Sequence, residues 1–301
     1  MDQGSSLKRA VKRRANRLSV KKRGIRIREP IRNPFPRIFS VTSGKGGVGK
    51  TSIVGNLAVA FSMAGKRVLI LDADLGLANI DIILGINPKY NIKHVIYGEK
   101  DLSDVIVEGP AGVCVIPASS GIQELVHLTE GQKLNLLNEF DKLNDLFDVL
   151  LIDTAAGISS NVMYFNLAAD ERIVVATTEP TSIIDAYALI KVMFMKYGTK
   201  HFKVLINMVD CEEEAEAVYR NLTRVVFRSL KGSSVEYIGF IAKDDHLQMA
   251  VRRRRSVIEL YPDSRSCKSF RDLANNLLTL PVRDQLDGNI KFFWRRLINC
   301  P

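Results

Sequence analysis

From residue 38 onward, short apolar runs alternate with longer stretches in which apolar residues return every three or four positions. The runs at 38–42, 67–72, 113–117, 148–153, 172–177, 203–209 and 235–242 are bounded by turn residues and predict strands. Helical spacing predicts helices at 50–64, 122–146, 181–197, 212–230 and 264–280. Apolar strands without polar alternation are covered on both faces, and strand–helix alternation builds a parallel sheet. The expected fold is α/β: a single doubly wound, mainly parallel sheet of about seven to eight strands with helices on both faces. No repeat or low-complexity linker interrupts the pattern after residue 40, so one domain is expected over 37–281.

The two ends do not follow this alternation. Pro30, Pro34 and Pro36 close a basic arm over 1–36. Within it Leu7, Ala10, Val11, Ala15 and Leu18 recur at helical spacing, which fits either a basic amphipathic helix or a solvated tail. At the other end, 282–301 forms a separate segment. On a helix its Ile290, Phe293, Trp294, Leu297 and Ile298 share one arc, with Lys291, Arg295 and Arg296 opposite and Phe292 on the wrong side. Such a segment either lies in an anionic membrane surface or packs back on its own domain.

Charge sharpens this division. The 301 residues are 46% hydrophobic and 25% charged, which excludes a fibrous or mostly disordered chain. The net charge is +10, and such an excess usually points to nucleic acid. Residues 1–39, however, contribute +11 and residues 288–301 contribute +3, so the stretch between is −4. A basic, DNA-coating body is disfavoured, and DNA binding stays open only for the arm and for Arg252, Arg253, Arg254 and Arg255. That last cluster reads as a surface patch for lipid, DNA or a protein partner, or as a solvated charge run. Cys114, Cys211, Cys267 and Cys300 form no CxxC pair, which argues against zinc and iron–sulfur sites and fits a reducing compartment. No apolar run is long enough to span a bilayer and the basic N-terminus lacks an apolar core, so a cytoplasmic location is expected.

The chemistry is concentrated after the first strand. Ser43-Gly44-Lys45-Gly46-Gly47-Val48-Gly49-Lys50-Thr51-Ser52 contains G-x-x-x-x-G-K-[ST] between a predicted strand and a predicted helix. Glycines let backbone N–H groups turn onto phosphate oxygens, and the helix adds its positive end. Lys50 is expected on the β- and γ-phosphates and Thr51 on Mg²⁺. Lys45 is a second cation in the same loop, suited to developing phosphoryl charge. Acidic residues fall at further strand ends, where α/β sheets present ligand-binding groups: Asp72 and Asp74, then Asp153, with Gly157 closing a D-x-x-x-G. Asp72 reads as a loop cap. Asn207 ends another strand, and its amide can both donate to and accept from a purine edge.

The Lys-Gly-Gly-Val-Gly-Lys-Thr loop resembles that of the deviant Walker A ATPases, the MinD/ParA family of SIMIBI-class P-loop NTPases. The resemblance spans 38–280. It implies two subunits sandwiching two ATP molecules with Mg²⁺, with Lys45 acting on the partner's phosphates. It also implies that Asp74 positions the attacking water near the metal, that Asp153 holds the Mg²⁺ hydration shell and that Gly157 senses the γ-phosphate. Asn207 would read adenine, with Asp244 a weaker adenine-side candidate because Ala242 stands where the family has proline.

Two further stretches resemble the flagellar-number branch of that family (FlhG, FleN or YlxH). One is Glu179-Pro180-Thr181-Ser182-Ile183-Ile184-Asp185-Ala186-Tyr187. The other is the N-terminal Asp2-Gln3-Gly4-Ser5-Ser6-Leu7-Lys8, similar to a D-Q-A-x-x-L-R motif that stimulates the signal-recognition-type GTPase FlhF. Asp2, Gln3 and Leu7 match, while Gly4 and Lys8 depart. The branch implies an ATP-dependent homodimer at the anionic inner surface of the cytoplasmic membrane, with basal-body or transcriptional partners. A MinD-type division ATPase and a ParA-like DNA-segregation ATPase are the alternatives.

Overall fold

The computed structural model describes residues 36–74, 79–117, 129–143 and 146–280. Eight strands form one sheet: β1 (Arg37–Ser43), β2 (Val68–Ala73), β3 (Val107–Glu108), β4 (Cys114–Ile116), β5 (Val149–Ala156), β6 (Glu171–Ala176), β7 (His201–Val209) and β8 (Ser234–Ala242). Their order is β3-β4-β2-β5-β1-β6-β7-β8, and every pairing is parallel except β3 with β4. The expected doubly wound α/β sheet is the one observed. The two-residue β3 is the strand that periodicity cannot register, being too short to carry a pattern.

Every residue of β1 and β2 is buried, so both strands are covered on both faces, the polar Ser40, Thr42 and Asp72 included. Alternate side chains still divide between the two faces. Phe39, Val41, Ile70 and Leu151 point into a core beneath α1 (Lys50–Met63), whereas Ile38, Leu69, Leu71, Leu150 and Ile152 enter a second core. Helix α2 (Ile80–Leu84) packs against α1 on the first side, whereas short helices cover the second: α3 (Ile92–Ile96) and α4 (Leu102–Val105), followed by α5 (Glu130–Asp141) and α6 (Ser160–Ala168). A third core beside β6 and β7 is roofed by α7 (Pro180–Tyr197) and α8 (Glu212–Ser229). The chain then forms α9 (Asp245–Arg252), α10 (Val257–Leu260) and α11 (Arg265–Thr279), the last packed on α1 and β8.

The helix expected over 122–146 starts later and stops earlier. Thr129 caps α5 by accepting the Gln132 N–H, while Gln132 reaches back to the Thr129 N–H, so the helix begins at Glu130. It ends at Asp141, before the turn that brings Asp148 onto Arg67. Helix α6 was not anticipated, because its buried face includes Val162, Met163, Phe165, Asn166 and Ala168 and leaves no amphipathic stripe to read.

At the N-terminal end of β1 the buried Arg37 guanidinium donates to Glu171 and to the carbonyls of Leu277 and Leu280. This cluster ties the start of the sheet to the end of α11. The opposite, C-terminal ends of β1, β2, β5, β6, β7 and β8 all face one way. Strand β1 lies between β5 and β6 at the switch point of the winding, and the crevice there is where such sheets bind ligands.

Candidate phosphate-binding and nucleotide site

The loop from Gly44 to Gly49 leaves β1 and turns straight into α1. Gly49 has φ 87°, and a Cβ there would lie 2.6 Å from the Asn207 amide nitrogen, so only glycine fits. Asn207, 2% exposed at the end of β7, donates through Nδ2 to the Val48 carbonyl at 2.7 Å. Its Oδ1 is buried without a hydrogen bond. The residue expected to read a base therefore braces the phosphate loop with one end of its amide and leaves its acceptor free.

Lys50 starts α1 and is buried, with Nζ donating to Ser43 Oγ at 2.9 Å. Ser43 Oγ in turn donates to the Lys45 carbonyl at 2.6 Å, closing the loop on itself. Burial lowers the Lys50 pKa, partly opposed by the charges of Asp153 and Asp74. Ser43 has no place in the motif, and its role is visible only once the loop is folded.

Asp72 and Asp153 are register partners on β2 and β5, each 1% exposed. Burial, reinforced by Asp153, pushes Asp72 up to about 8. Its Oδ1 accepts the Asp74 N–H at 3.1 Å and its Oδ2 the Ile80 N–H at 3.5 Å. The loop-cap reading of Asp72 thus holds, but the carboxylate also stands directly beside Asp153. Burial pushes Asp153 up to about 7; the nearby Thr51 hydroxyl and Lys50 charge resist the shift, and Asp74 adds to it. Neither Asp153 oxygen makes a hydrogen bond of normal geometry, and the buried Ser52 hydroxyl has none either.

Orphaned buried carboxylate oxygens are expensive unless something completes them. The Thr51 hydroxyl and the orphaned Asp153 carboxylate are hard oxygen groups of the kind that hold a hydrated Mg²⁺, so the residues present fit that ion. Among the described residues no cluster of three or more His, Cys, Asp or Glu side chains forms a metal site.

Gly157, φ 96°, begins the loop after β5 and donates its N–H to the Ser43 carbonyl at 2.9 Å. It thus contacts the end of β1, directly before the phosphate loop. Asp244 is otherwise employed. Its Oδ1 accepts the His246 N–H at 2.9 Å and lies 3.0 Å from His246 Nδ1, while Oδ2 accepts both the N–H and the hydroxyl of Ser266 at 2.9 Å. Despite partial burial, these bonds hold its carboxyl at about 2. Asp244 joins the starts of α9 and α11, which explains its position without an adenine. Asp2, Gln3 and Leu7, like Ile290, Phe293, Trp294, Leu297 and Ile298, lie outside the described residues.

A family model described as an AAA domain matches residues 36–204. The chain is also 42% identical over 265 residues to the antiactivator FleN of Pseudomonas aeruginosa, covering 88% of this chain and 94% of that protein. The chain belongs to the FleN branch of the MinD/ParA P-loop ATPases. The ATPase is similar, too, to the flagellum site-determining protein YlxH of Helicobacter pylori, at 32% identity over 87% of this chain and 90% of that one. Among solved structures, the septum site-determining protein MinD of Pyrococcus horikoshii complexed with Mg-ADP superimposes with a TM-score of 0.65. It is 25% identical, over 84% of the ATPase and 98% of that chain. No helix among the described residues is long and apolar enough to cross a membrane.

Proposed function

We propose that this protein is an ATP-dependent, dimerising and membrane-associating ATPase that regulates flagellar number or placement, with an N-terminal segment that stimulates the GTPase FlhF. The observation that carries the ATPase part is the buried Asp153 carboxylate, unpaired beside Lys50 and Thr51 at the foot of the phosphate loop. The flagellar part is supported by the similarity to FleN and YlxH.

In this reading the loop N–H groups and Lys50 bind the phosphates, and Thr51 and Asp153 hold the Mg²⁺ with its water shell. Mg²⁺, when bound, would neutralise charge on the β- and γ-phosphate oxygens. Lys50 is already desolvated, so it needs little reorganisation to meet phosphoryl charge. Asp74, at the mouth of the site after β2, positions water for in-line attack, and Gly157 shifts its N–H from Ser43 to the γ-phosphate. Asn207 Oδ1 accepts from the exocyclic amine of adenine. Lys45 adds its charge to the nucleotide of a second subunit.

Residues 282–301 would place the protein on the cytoplasmic membrane. One short amphipathic helix binds lipid marginally, and two on one ATP-bridged dimer bind far more tightly because the second contact is intramolecular. Flotation with vesicles containing anionic lipid is therefore expected to recover the protein at least about tenfold better with ATP than with ADP. Equal recovery would remove the switch. For the arm, the full-length protein is expected to accelerate GTP hydrolysis by FlhF and the Gln3→Ala variant to lose that acceleration, since a positioned glutamine can orient water. Stimulation that survives Gln3→Ala would leave a MinD/ParA ATPase without the flagellum-specific arm.

A further inference from the structure

The stretch from Glu179 to Tyr187, singled out by its resemblance to the flagellar branch, has no part in nucleotide binding as described above. Its position gives it one. The N-terminal part of α7 lies against the phosphate loop so closely that a Cβ on Gly44 would fall 2.1 Å from the carbonyl oxygen of Asp185 in its second turn. The neighbouring Lys45 reaches onto the start of the same helix, where Nζ donates to the Glu179 carboxylate and to Thr181 Oγ1 at 2.9 Å.

Glu179 is the N-cap residue of α7, yet its side chain makes no capping hydrogen bond. The backbone beneath it is pinned instead. The Glu179 carbonyl accepts the N–H groups of Ser182 and Ile183 at 2.9 and 3.3 Å. Ser182 Oγ accepts the Thr177 N–H at 3.0 Å, and Thr177 Oγ1 accepts the Glu179 N–H at 3.4 Å. An acidic side chain that would ordinarily serve its own helix is thus held out toward the loop lysine. Lys45 is anchored from the other side, through its carbonyl on Ser43 Oγ.

We propose that Glu179 and Thr181 form a latch that keeps Lys45 on its own subunit until a second subunit docks; this rests on the ATP-bridged dimer proposed above. An ammonium has three donors, and two of those on Lys45 are committed to α7. A partner's phosphate must displace the Glu179 carboxylate before Lys45 can reach it. Lys45 is 35% and Glu179 62% exposed, so solvent screens the pair and the latch biases the equilibrium rather than blocking it. One such pair shifts an equilibrium by about two- to fivefold. Two latches open in each dimer, so losing both lowers the dimer dissociation constant by about 4–25-fold.

Sedimentation of the full-length chain with Mg²⁺ and a non-hydrolysable ATP analogue tests this with wild type, Glu179→Gln and Thr181→Val. The expected result is tighter dimerisation of Glu179→Gln by that factor at low salt, narrowing at high salt as the ion pair is screened. Thr181→Val shifts the constant the same way by less. Nucleotide affinity of the monomer and Tm stay at wild-type values, which a merely structural role for Glu179 would not allow. An unchanged or weaker dimer of Glu179→Gln beside a dimerising wild type overturns the latch, the weaker one making Glu179 an interface contact. A dimer formed by Glu179→Gln alone supports it, and no dimer from any variant overturns the dimer reading on which it rests.

Discussion

Replacing Lys50 with alanine is expected to lower kcat/KM for ATP hydrolysis at least about a thousandfold, some 4 kcal/mol of transition-state stabilisation. The magnitude follows from the position of the group. Lys50 is buried at the start of α1, close enough to Asp153 and Asp74 for their charges to raise its pKa against the burial that lowers it. In so dry a site a fixed cation acts on phosphoryl charge with little screening. Arginine should not restore activity, since its planar fork cannot fit a cradle closed by Ser43. A second readout separates function from stability. Burying the ammonium costs the apo protein energy, so Lys50→Met should match or exceed the wild-type Tm without nucleotide while hydrolysing no ATP. Activity within tenfold of wild type, measured by phosphate release, would displace Lys50 from the reaction.

Asp153→Asn is expected to stabilise the apo protein and abolish its stabilisation by Mg²⁺ and nucleotide. The sign follows from the direction of the shift. The carboxyl stands at about 7 in the fold, above its ordinary value of 3.8, so the native state holds a proton that the unfolded chain has released. Native stability is therefore undiminished below about pH 4 and falls as pH rises toward 7 and 8. At about 1.4 kcal/mol per unit, the burial of Asp153 costs up to a few kcal/mol at pH 8. Asparagine removes that cost. The variant's Tm should rise by at least about 3 °C at pH 8 and by less than half as much at pH 5. Asp72, raised to about 8 beside it, steepens the same decline in the wild type. In the wild type Mg²⁺ and nucleotide restore stability by mass action, which the variant should lose. A lower Tm for the variant at pH 8, read by calorimetry, would show that the carboxylate is already compensated in the apo protein.

Much of this molecule can be read from its chain. The sheet is legible because buried parallel strands are written as largely apolar runs, and Ile38, Val41, Leu150 and Ile152 are buried on both sides of the sheet. The phosphate loop is legible for a different reason. Its chemistry is local: glycines, a lysine and a threonine act within one turn of backbone, and sequence spacing is their geometry. Helix α6 and strand β3 leave no readable pattern, because apolar residues on both faces of the helix and the extreme shortness of the strand each erase periodicity.

What the chain could not specify are relations between distant residues. Asp72 and Asp153 are 81 positions apart and become neighbours only through the pairing of β2 with β5, which creates their shared proton affinity. Asn207 lies 159 positions from Val48, yet it braces the loop it was expected to serve by reading a base. Asp244 looks like a free loop carboxylate until α11 returns and delivers Ser266 to it. The sequence by itself determined the elements, their layering and the identity of the phosphate site. Only the tertiary structure decided which carboxylates would be dry and unpaired and which would be consumed as caps, because desolvation and hydrogen-bond satisfaction depend on what packs against a group.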